Sequence, residues 1–153
     1  MHQSNRINRS RRNLITSSCK ICLLGAAGFS LTQLESCAPS SSIYKTTITN
    51  GNLNVPLNLF DKSTLQIVRP AGWYYDVAVQ KNTDNSYTAL LLQCTHQENQ
   101  LTPTGNGYHC SLHGSDFDKQ GNVRKGPAEQ PLHHFETSTN DNTLNIHISN
   151  FKP

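Results

Sequence analysis

The stretch from residue 94 to residue 130 places the strongest constraint on the fold of this chain, because it has few apolar side chains that could be buried. Turn-forming residues are frequent in it, with five glycines and two prolines: Gly105, Gly107, Gly114, Gly121, Gly126, Pro103 and Pro127. A segment of this length with so few apolar side chains does not become ordered through hydrophobic burial alone. Any fold that includes it therefore needs a further element that organises these residues.

Two Cys–His pairs within this stretch can provide that element. Cys94-Thr-His96 and Cys110-Ser-Leu-His113 each place a thiol near an imidazole, and thirteen residues separate the two pairs. Thiolate and imidazole ligands together favour zinc or an iron–sulfur cluster over magnesium or calcium. A disulfide between Cys94 and Cys110 is the alternative, but it would leave the two matched histidines without a role. We therefore predict a metal centre held by these four residues.

The arrangement of the ligands distinguishes between the two kinds of centre. A zinc finger groups ligands of one type on each half of the site, whereas each pair here combines one cysteine with one histidine. The order C-x-H followed by C-x2-H resembles the Rieske family. The resemblance covers roughly residues 60–150 and continues through Gly114-Ser115-Asp116-Phe117-Asp118, Gly126-Pro127-Ala128 and Pro131-Leu132.

This resemblance implies a fold, a cofactor and roles for individual residues. The fold would be an antiparallel β sandwich with a small cluster-binding subdomain of two loops, and the cofactor a 2Fe–2S cluster. Cys94 and Cys110 would bind one iron, and His96 and His113 the other. Around them, the resemblance assigns Ser115 as a hydrogen-bond donor to a cluster sulfide and Gly126-Pro127-Ala128 as a shield.

Differences from the quinol-oxidising members of that family bear on the reduction potential. Those members carry an additional cysteine in each ligand segment, joined as a disulfide, and Asn99 and Leu112 stand at these positions here. Phe117 replaces a tyrosine that donates a second hydrogen bond to the cluster in those members. Because Ser115 is then the one donor retained, we expect a potential below that of the quinol-oxidising proteins.

The rest of the chain from Ile43 onward is predicted to form short strands. Runs rich in β-branched and aromatic residues alternate with turn signals every 8–12 residues from Ile43 onward, which is typical of an all-β sandwich or barrel. The runs are Thr64–Val68, Trp73–Val79, Tyr87–Leu92, Leu132–Phe135 and Leu144–Ile148, with the turn-prone Asn140-Asp141-Asn142 before the last. We find no convincing helical period. At 153 residues the chain has room for one such domain.

The first 36 residues have the organisation of an export signal. They hold five basic residues and one acidic residue, whereas the remaining 117 hold eight basic and nine acidic residues. The body therefore lacks the excess positive charge of a nucleic-acid-binding protein. Arg11-Arg12 resembles the twin-arginine export motif, and the apolar stretch 21–29 has the length of a signal-peptide core. Twin-arginine export moves folded proteins, which suits a cofactor inserted before export.

A lipid anchor is predicted next to this signal. Leu34-Glu35-Ser36-Cys37 resembles a bacterial lipobox, although Glu35 departs from its usual small or apolar residue. The small polar residues after Cys37 are typical of a flexible tether. The predicted organisation is thus a signal peptide at 1–36, a lipidated cysteine with its tether at 37–50, and a Rieske domain at 51–153.

These patterns together predict electron transfer on the periplasmic side of a bacterial membrane, by a lipid-anchored protein. The protein would be a carrier or the Rieske subunit of a larger oxidoreductase, with a redox protein or a quinone as its partner. No part of the sequence resembles a catalytic nucleophile, so any substrate turnover is assigned to another subunit. The alternative hypothesis is a zinc-stabilised envelope lipoprotein with a binding or structural role.

Overall fold

The computed structural model of the protein describes residues 43–149 and residue 151. Within this part of the chain the backbone forms strands and one short 3₁₀ helix, Leu57–Asp61, so the predicted all-β class is confirmed. None of the described helices is long or apolar enough to cross a membrane. The strands are β1 (Ile43–Thr46), β2 (Ile48–Thr49), β3 (Asn52–Pro56), β4 (Leu65–Pro70), β5 (Val77–Lys81), β6 (Tyr87–Leu91), β7 (Thr102–Thr104), β8 (Gly107–His109), β9 (Asp116–Phe117), β10 (Val123–Lys125), β11 (His134–Asn140) and β12 (Thr143–His147).

The strands form two sheets. Eight of them make a large sheet in the order β1-β4-β5-β6-β11-β12-β3-β2, and four make a small sheet in the order β10-β9-β8-β7. Neighbouring strands of the described sheets are antiparallel, except that β1 runs parallel to β4. This parallel pair departs from the purely antiparallel prediction. It arises because β2, β3 and the 3₁₀ helix intervene between the two strands and return the chain to the end of the sheet where β1 began.

Residues predicted to belong to the tether take part in the large sheet. Strand β1 pairs with β4, β2 pairs with β3, and Tyr44 packs against the core. The ordered domain therefore includes residues from Ile43 onward rather than from 51. The predicted signal peptide and Cys37 lie outside the described residues.

One predicted strand begins later than its sequence suggests. Of the run Trp73–Val79, only the part from Val77 is a strand, and Trp73 lies in the preceding loop, packed against Phe135 and Phe151. The backbone N–H of Asp76 donates to the side-chain oxygen of Gln100 at 3.1 Å rather than to a neighbouring strand. Aromatic residues have a high strand propensity, but here they are held by packing in a loop.

The central strands bury side chains on both faces of the large sheet. Val68, Val77 and Leu91 point into one hydrophobic cluster, while their neighbours Ile67, Ala78, Leu90 and Leu92 point into a second. The second cluster joins the large sheet to the small one and includes Tyr108, Phe117, Cys94 and Cys110. The segment that is poor in apolar residues is thus fixed to the body through a small set of fully buried side chains.

Candidate functional site

Two loops at the junction of the sheets carry the four predicted ligands. The first loop, residues 94–99, follows β6, and the second loop, residues 110–115, follows β8. The first is closed by a hydrogen bond from Cys94 N–H to the Asn99 carbonyl at 2.8 Å. The second is closed by hydrogen bonds from Cys110 N–H to the Ser115 carbonyl and from Gly114 N–H to the Cys110 carbonyl, both at 2.9 Å. Each loop is therefore ordered by its own backbone.

The loops bring like donors together. Cys94 and Cys110 are each 1% exposed and belong to the same buried hydrophobic cluster. His96 and His113 lie at the surface, with ring centroids 5.0 Å apart and planes nearly perpendicular. Both cysteines are free thiols, so the disulfide alternative is not formed. The sulfur donors consequently face the interior and the nitrogen donors face solvent.

The environment of Cys110 favours its thiolate. Burial disfavours the charged form, but the backbone N–H groups of His113 and Leu112 donate to the sulfur and outweigh burial, so the pKa of the Cys110 thiol falls below its ordinary value. The thiol of Cys94 and the amide of Asn99 contribute in the same direction. A lowered thiol pKa is what a metal ligand needs, because the thiolate is the form that binds.

Asn99 is a site residue whose contact the sequence did not reveal. Its side-chain amide lies 3.8 Å from the Cys110 sulfur and links the first loop to the second. The sequence marks Asn99 only as one of two positions where quinol-oxidising relatives have a disulfide cysteine. At the other position, Leu112 is 54% exposed. A weak amide–sulfur contact thus joins the loops near the place where a covalent bond would join them in those relatives.

A third segment, residues 126–130, closes the site. Ser115 is fully buried, and its hydroxyl oxygen accepts the Ala128 N–H at 3.0 Å. From the first loop, the Thr95 hydroxyl donates to the Gln130 carbonyl at 2.6 Å. The predicted shielding residues Gly126 and Pro127 are exposed. Each loop is therefore tied to this segment by one hydrogen bond that involves a hydroxyl side chain, with Ser115 accepting and Thr95 donating.

The remaining residues near the loops have structural partners. Phe117 is 1% exposed and packs in the second hydrophobic cluster. His109, next to Cys110, pairs instead with Asp116 across β8 and β9, with 2.6 Å between Nδ1 and the carboxylate. Burial, followed by the charge of Asp118, raises the pKa of Tyr108 to about 12, so this phenol stays neutral.

The donor set fits a centre of two metal ions. Within residues 43–149, no three cysteine, histidine or acidic side chains gather as ligands of a single metal ion. The two thiols lie in one buried cluster, and the two imidazole rings are neighbours at the surface. A 2Fe–2S cluster of the Rieske type uses this division, with two cysteines on one iron and two histidines on the other.

Comparison with known proteins gives both sequence and structural similarity. The sequence profile of the Rieske [2Fe-2S] domain matches residues 59–136. No curated protein is similar enough to count as a match.

Among solved structures, the cyanobacterial plasma membrane Rieske protein PetC3 from Synechocystis PCC 6803 is similar, at 24% identity and a TM-score of 0.44, over 63% of this chain and 85% of that one. A chain in the complex of reduced oxygenase and oxidized ferredoxin in carbazole 1,9a-dioxygenase is similar at 22% identity and a TM-score of 0.48, over 65% and 94% of the two chains. A chain of a hyperthermophilic respiratory Complex III is similar at 13% identity and a TM-score of 0.48, over 92% of this chain and 99% of that one.

Proposed function

Since this chain belongs to the Rieske [2Fe-2S] domain family and so carries a 2Fe–2S cluster, we propose that it transfers single electrons at the periplasmic side of a bacterial membrane. It would act as a carrier or as the Rieske subunit of a larger oxidoreductase. The observation that carries the proposal is the division of the donors, with Cys94 and Cys110 buried and His96 and His113 exposed side by side.

We assign one iron to the two cysteines and the other to the two histidines. A cluster bound in this way accepts and releases one electron, at a potential above that of clusters with four cysteine ligands. Burial of the sulfurs keeps water from that half of the site. The N–H groups of Leu112, His113 and Asn99 stabilise negative charge on Cys110.

The exposed histidines are the part of the site that another molecule can reach. Because electron transfer depends on close approach, the rings of His96 and His113 are the expected contact for a redox protein or a quinone. Purification from membranes distinguishes the carrier from the subunit. Co-purification with other membrane proteins would favour the subunit.

The cluster assignment is tested on the full chain purified without chelators. We expect iron and acid-labile sulfide in equal amounts, visible absorption, and an EPR signal in the reduced state. His113→Gln should abolish or shift this signal. His109→Gln is the matched control, since His109 adjoins the site but pairs with Asp116. Colourless protein without iron or sulfide after anaerobic reconstitution would contradict the proposal.

The location is supported by residues outside the described part of the chain. Arg11-Arg12 resembles a twin-arginine signal, and Cys37 stands in a lipobox-like sequence. We expect Arg11→Lys combined with Arg12→Lys to retain the protein in the cytoplasm. Cys37→Ser should leave it exported but released from membranes. Membrane fractionation and mass spectrometry of the mature N-terminus measure export and lipid attachment. An intact Met1 in a wild-type protein found in the cytosol would contradict the proposed location.

A further inference from the structure

Three strands of the large sheet place a serine, a histidine and an asparagine on one outer face. Strand β12 pairs with β11 on one side and with β3 on the other. Leu53, Leu144 and Ile146 point into the core from these strands. Because side chains alternate between the faces of a strand, His147 and Asn52 point outward beside Ser138.

Hydrogen bonds connect these three side chains in series. The Ser138 hydroxyl lies 2.9 Å from Nε2 of His147, and Nδ1 of His147 lies 2.7 Å from the Oδ1 atom of Asn52. The pairs are separated by 9 and 95 residues in the sequence. Only the register of the sheet therefore brings the three groups together.

A fourth group fixes the direction of the hydrogen bonds. The Nδ2 atom of Asn52 donates to the Asn50 carbonyl at 3.4 Å, so Oδ1 is the amide atom that faces His147. An oxygen accepts, so Nδ1 of His147 carries the proton, and Nε2 has a free lone pair. The Ser138 hydroxyl then donates to Nε2. Asn50 itself has a φ of 52° next to Gly51, in the tight turn that joins β2 to β3.

This arrangement is that of an activated nucleophile. A serine hydroxyl within hydrogen-bond reach of an imidazole, which is oriented by a third group, is the geometry of nucleophilic catalysis on several unrelated folds. We propose that Ser138 is a nucleophile toward activated carboxylic esters, with His147 as general base and Asn52 as the residue that positions it. The proposal does not depend on the cluster, since none of these residues belongs to the two ligand-bearing loops.

The reaction balances without a redox partner. The Ser138 oxygen attacks the ester carbonyl carbon, and its proton passes to Nε2 of His147. The bond to the leaving alkoxide or phenoxide breaks, and that group takes the proton from the imidazolium. Water then attacks the acyl-serine by the same route and releases the carboxylic acid.

Neighbouring residues set the class of substrate. Asn145 is the direct cross-strand partner of Ser138, so its amide is on the same face and is a candidate donor to an oxyanion. Glu136 is the cross-strand partner of His147 and lies on the same face of the sheet. Ser138 and His147 are exposed on an open face. The site therefore suits small, reactive esters that need no enclosing pocket.

The test uses p-nitrophenyl acetate on the cluster-loaded full chain, with acylated residues mapped by mass spectrometry. Ser63 is the internal control, because it is also exposed but its hydroxyl donates to a backbone carbonyl. We expect Ser138 to be acylated at least tenfold faster than Ser63.

Variants separate this chemistry from general surface reactivity. His147→Gln should lower the Ser138 rate at least tenfold, within the range expected for loss of a general base, and leave the Ser63 rate unchanged. Asn52→Leu should lower the acylation rate of Ser138, and Asn52→Asp should retain that rate. The visible spectrum of each variant reports that the domain is folded. Equal rates at the two serines, acylation of His147 instead of Ser138, or no effect of His147→Gln would overturn the proposal.

Discussion

Ser115 connects two parts of the site through one hydroxyl group. It is fully buried, and its oxygen accepts the N–H of Ala128. Its own proton remains to be donated, and the family resemblance directs it to a cluster sulfide. Phe117, two residues later, is equally buried but has no proton to donate. By that resemblance, the chain would retain one of the two hydroxyl donors of the quinol-oxidising members.

This difference predicts opposite effects of two substitutions on the midpoint potential. Hydrogen bonds to cluster sulfur favour the reduced state, so Ser115→Ala should lower the potential and Phe117→Tyr should raise it. Redox titration followed by visible absorption or EPR measures both. If neither substitution moves the midpoint in a folded, cluster-loaded protein, this account of the tuning is wrong.

Asn99 gives a second prediction for the potential. Its amide lies near the Cys110 sulfur, and Asn99→Leu removes this donor while keeping a side chain of similar size. We expect a lower midpoint potential, because less positive charge then faces the thiolate. Gln97→Leu is the control, since Gln97 is exposed in the same loop. An equal shift in both variants would contradict this prediction. It would show that the potential responds to loss of any amide from this loop and not to the contact between Asn99 and Cys110.

Asp118 predicts a pH dependence of stability. Burial is the largest single influence and raises the pKa of Asp118, but the side chain and N–H of Asn122 and the N–H of Gln120 donate to the carboxylate and together outweigh it, so the pKa lies below its usual 3.8. A lowered folded-state pKa stabilises the fold above about pH 4 and loses this contribution as the pH falls further. The difference in melting temperature between wild type and Asp118→Asn should therefore shrink below about pH 4. A difference that is constant from pH 6 to pH 2 would contradict this.

At the scale of elements, the small sheet depends on one glycine in the β7–β8 hairpin. Gly107 has a φ of 148°, and a Cβ at this position would overlap the Phe117 carbonyl oxygen. Strand β8 is hydrogen-bonded on both sides, to β7 and to β9, so the backbone has little freedom to move away. The close approach of these strands therefore requires glycine.

Gly107→Ala should destabilise the cluster-binding sheet. We expect a loss of about 3 kcal/mol or more, since the new methyl group meets backbone rather than a flexible side chain. Gly105→Ala in the same hairpin is the control, because a methyl group there would meet only open space. Urea denaturation followed by loss of the visible absorption compares the two variants. Equal stability of both would show that the hairpin can shift.

At the scale of the whole molecule, the two hydrophobic clusters have different relations to the cofactor. The first contains Leu53, Leu91 and Ile146 and includes no predicted ligand. The second contains Cys94 and Cys110, and it joins the small sheet to the large one. We therefore expect the order of the small sheet to depend on the cofactor more than that of the first cluster, which contains no predicted ligand.

Removal of the cluster should accordingly loosen one part of the protein more than the other. Hydrogen exchange of the apoprotein is expected to be fast throughout residues 94–130 and slow in β3 and β12. The cluster-loaded protein is the reference. Uniform loss of protection over the whole chain would instead show that the cluster and both cores unfold as one unit.

Residue type and spacing predicted the chemistry of this protein. The Cys–His pairs and the run from Gly114 to Asp118 indicated the family, because short stretches of sequence determine ligand identity and local turn geometry. Strands such as β4 and β6 were predicted to within two residues, since dense apolar runs favour burial on both faces. These are local properties, and neighbouring residues suffice to define them.

The tertiary structure alone decided which distant side chains meet. That the thiols face inward and the imidazoles outward, that Asn99 approaches Cys110, and that β1 runs parallel to β4 all depend on how loops and strands pack. The connection of Ser138 through His147 to Asn52 depends on sheet register, and a shift of one residue would turn any of these side chains to the other face. A sequence lists such residues far apart, and only the pairing of strands brings them within hydrogen-bond distance.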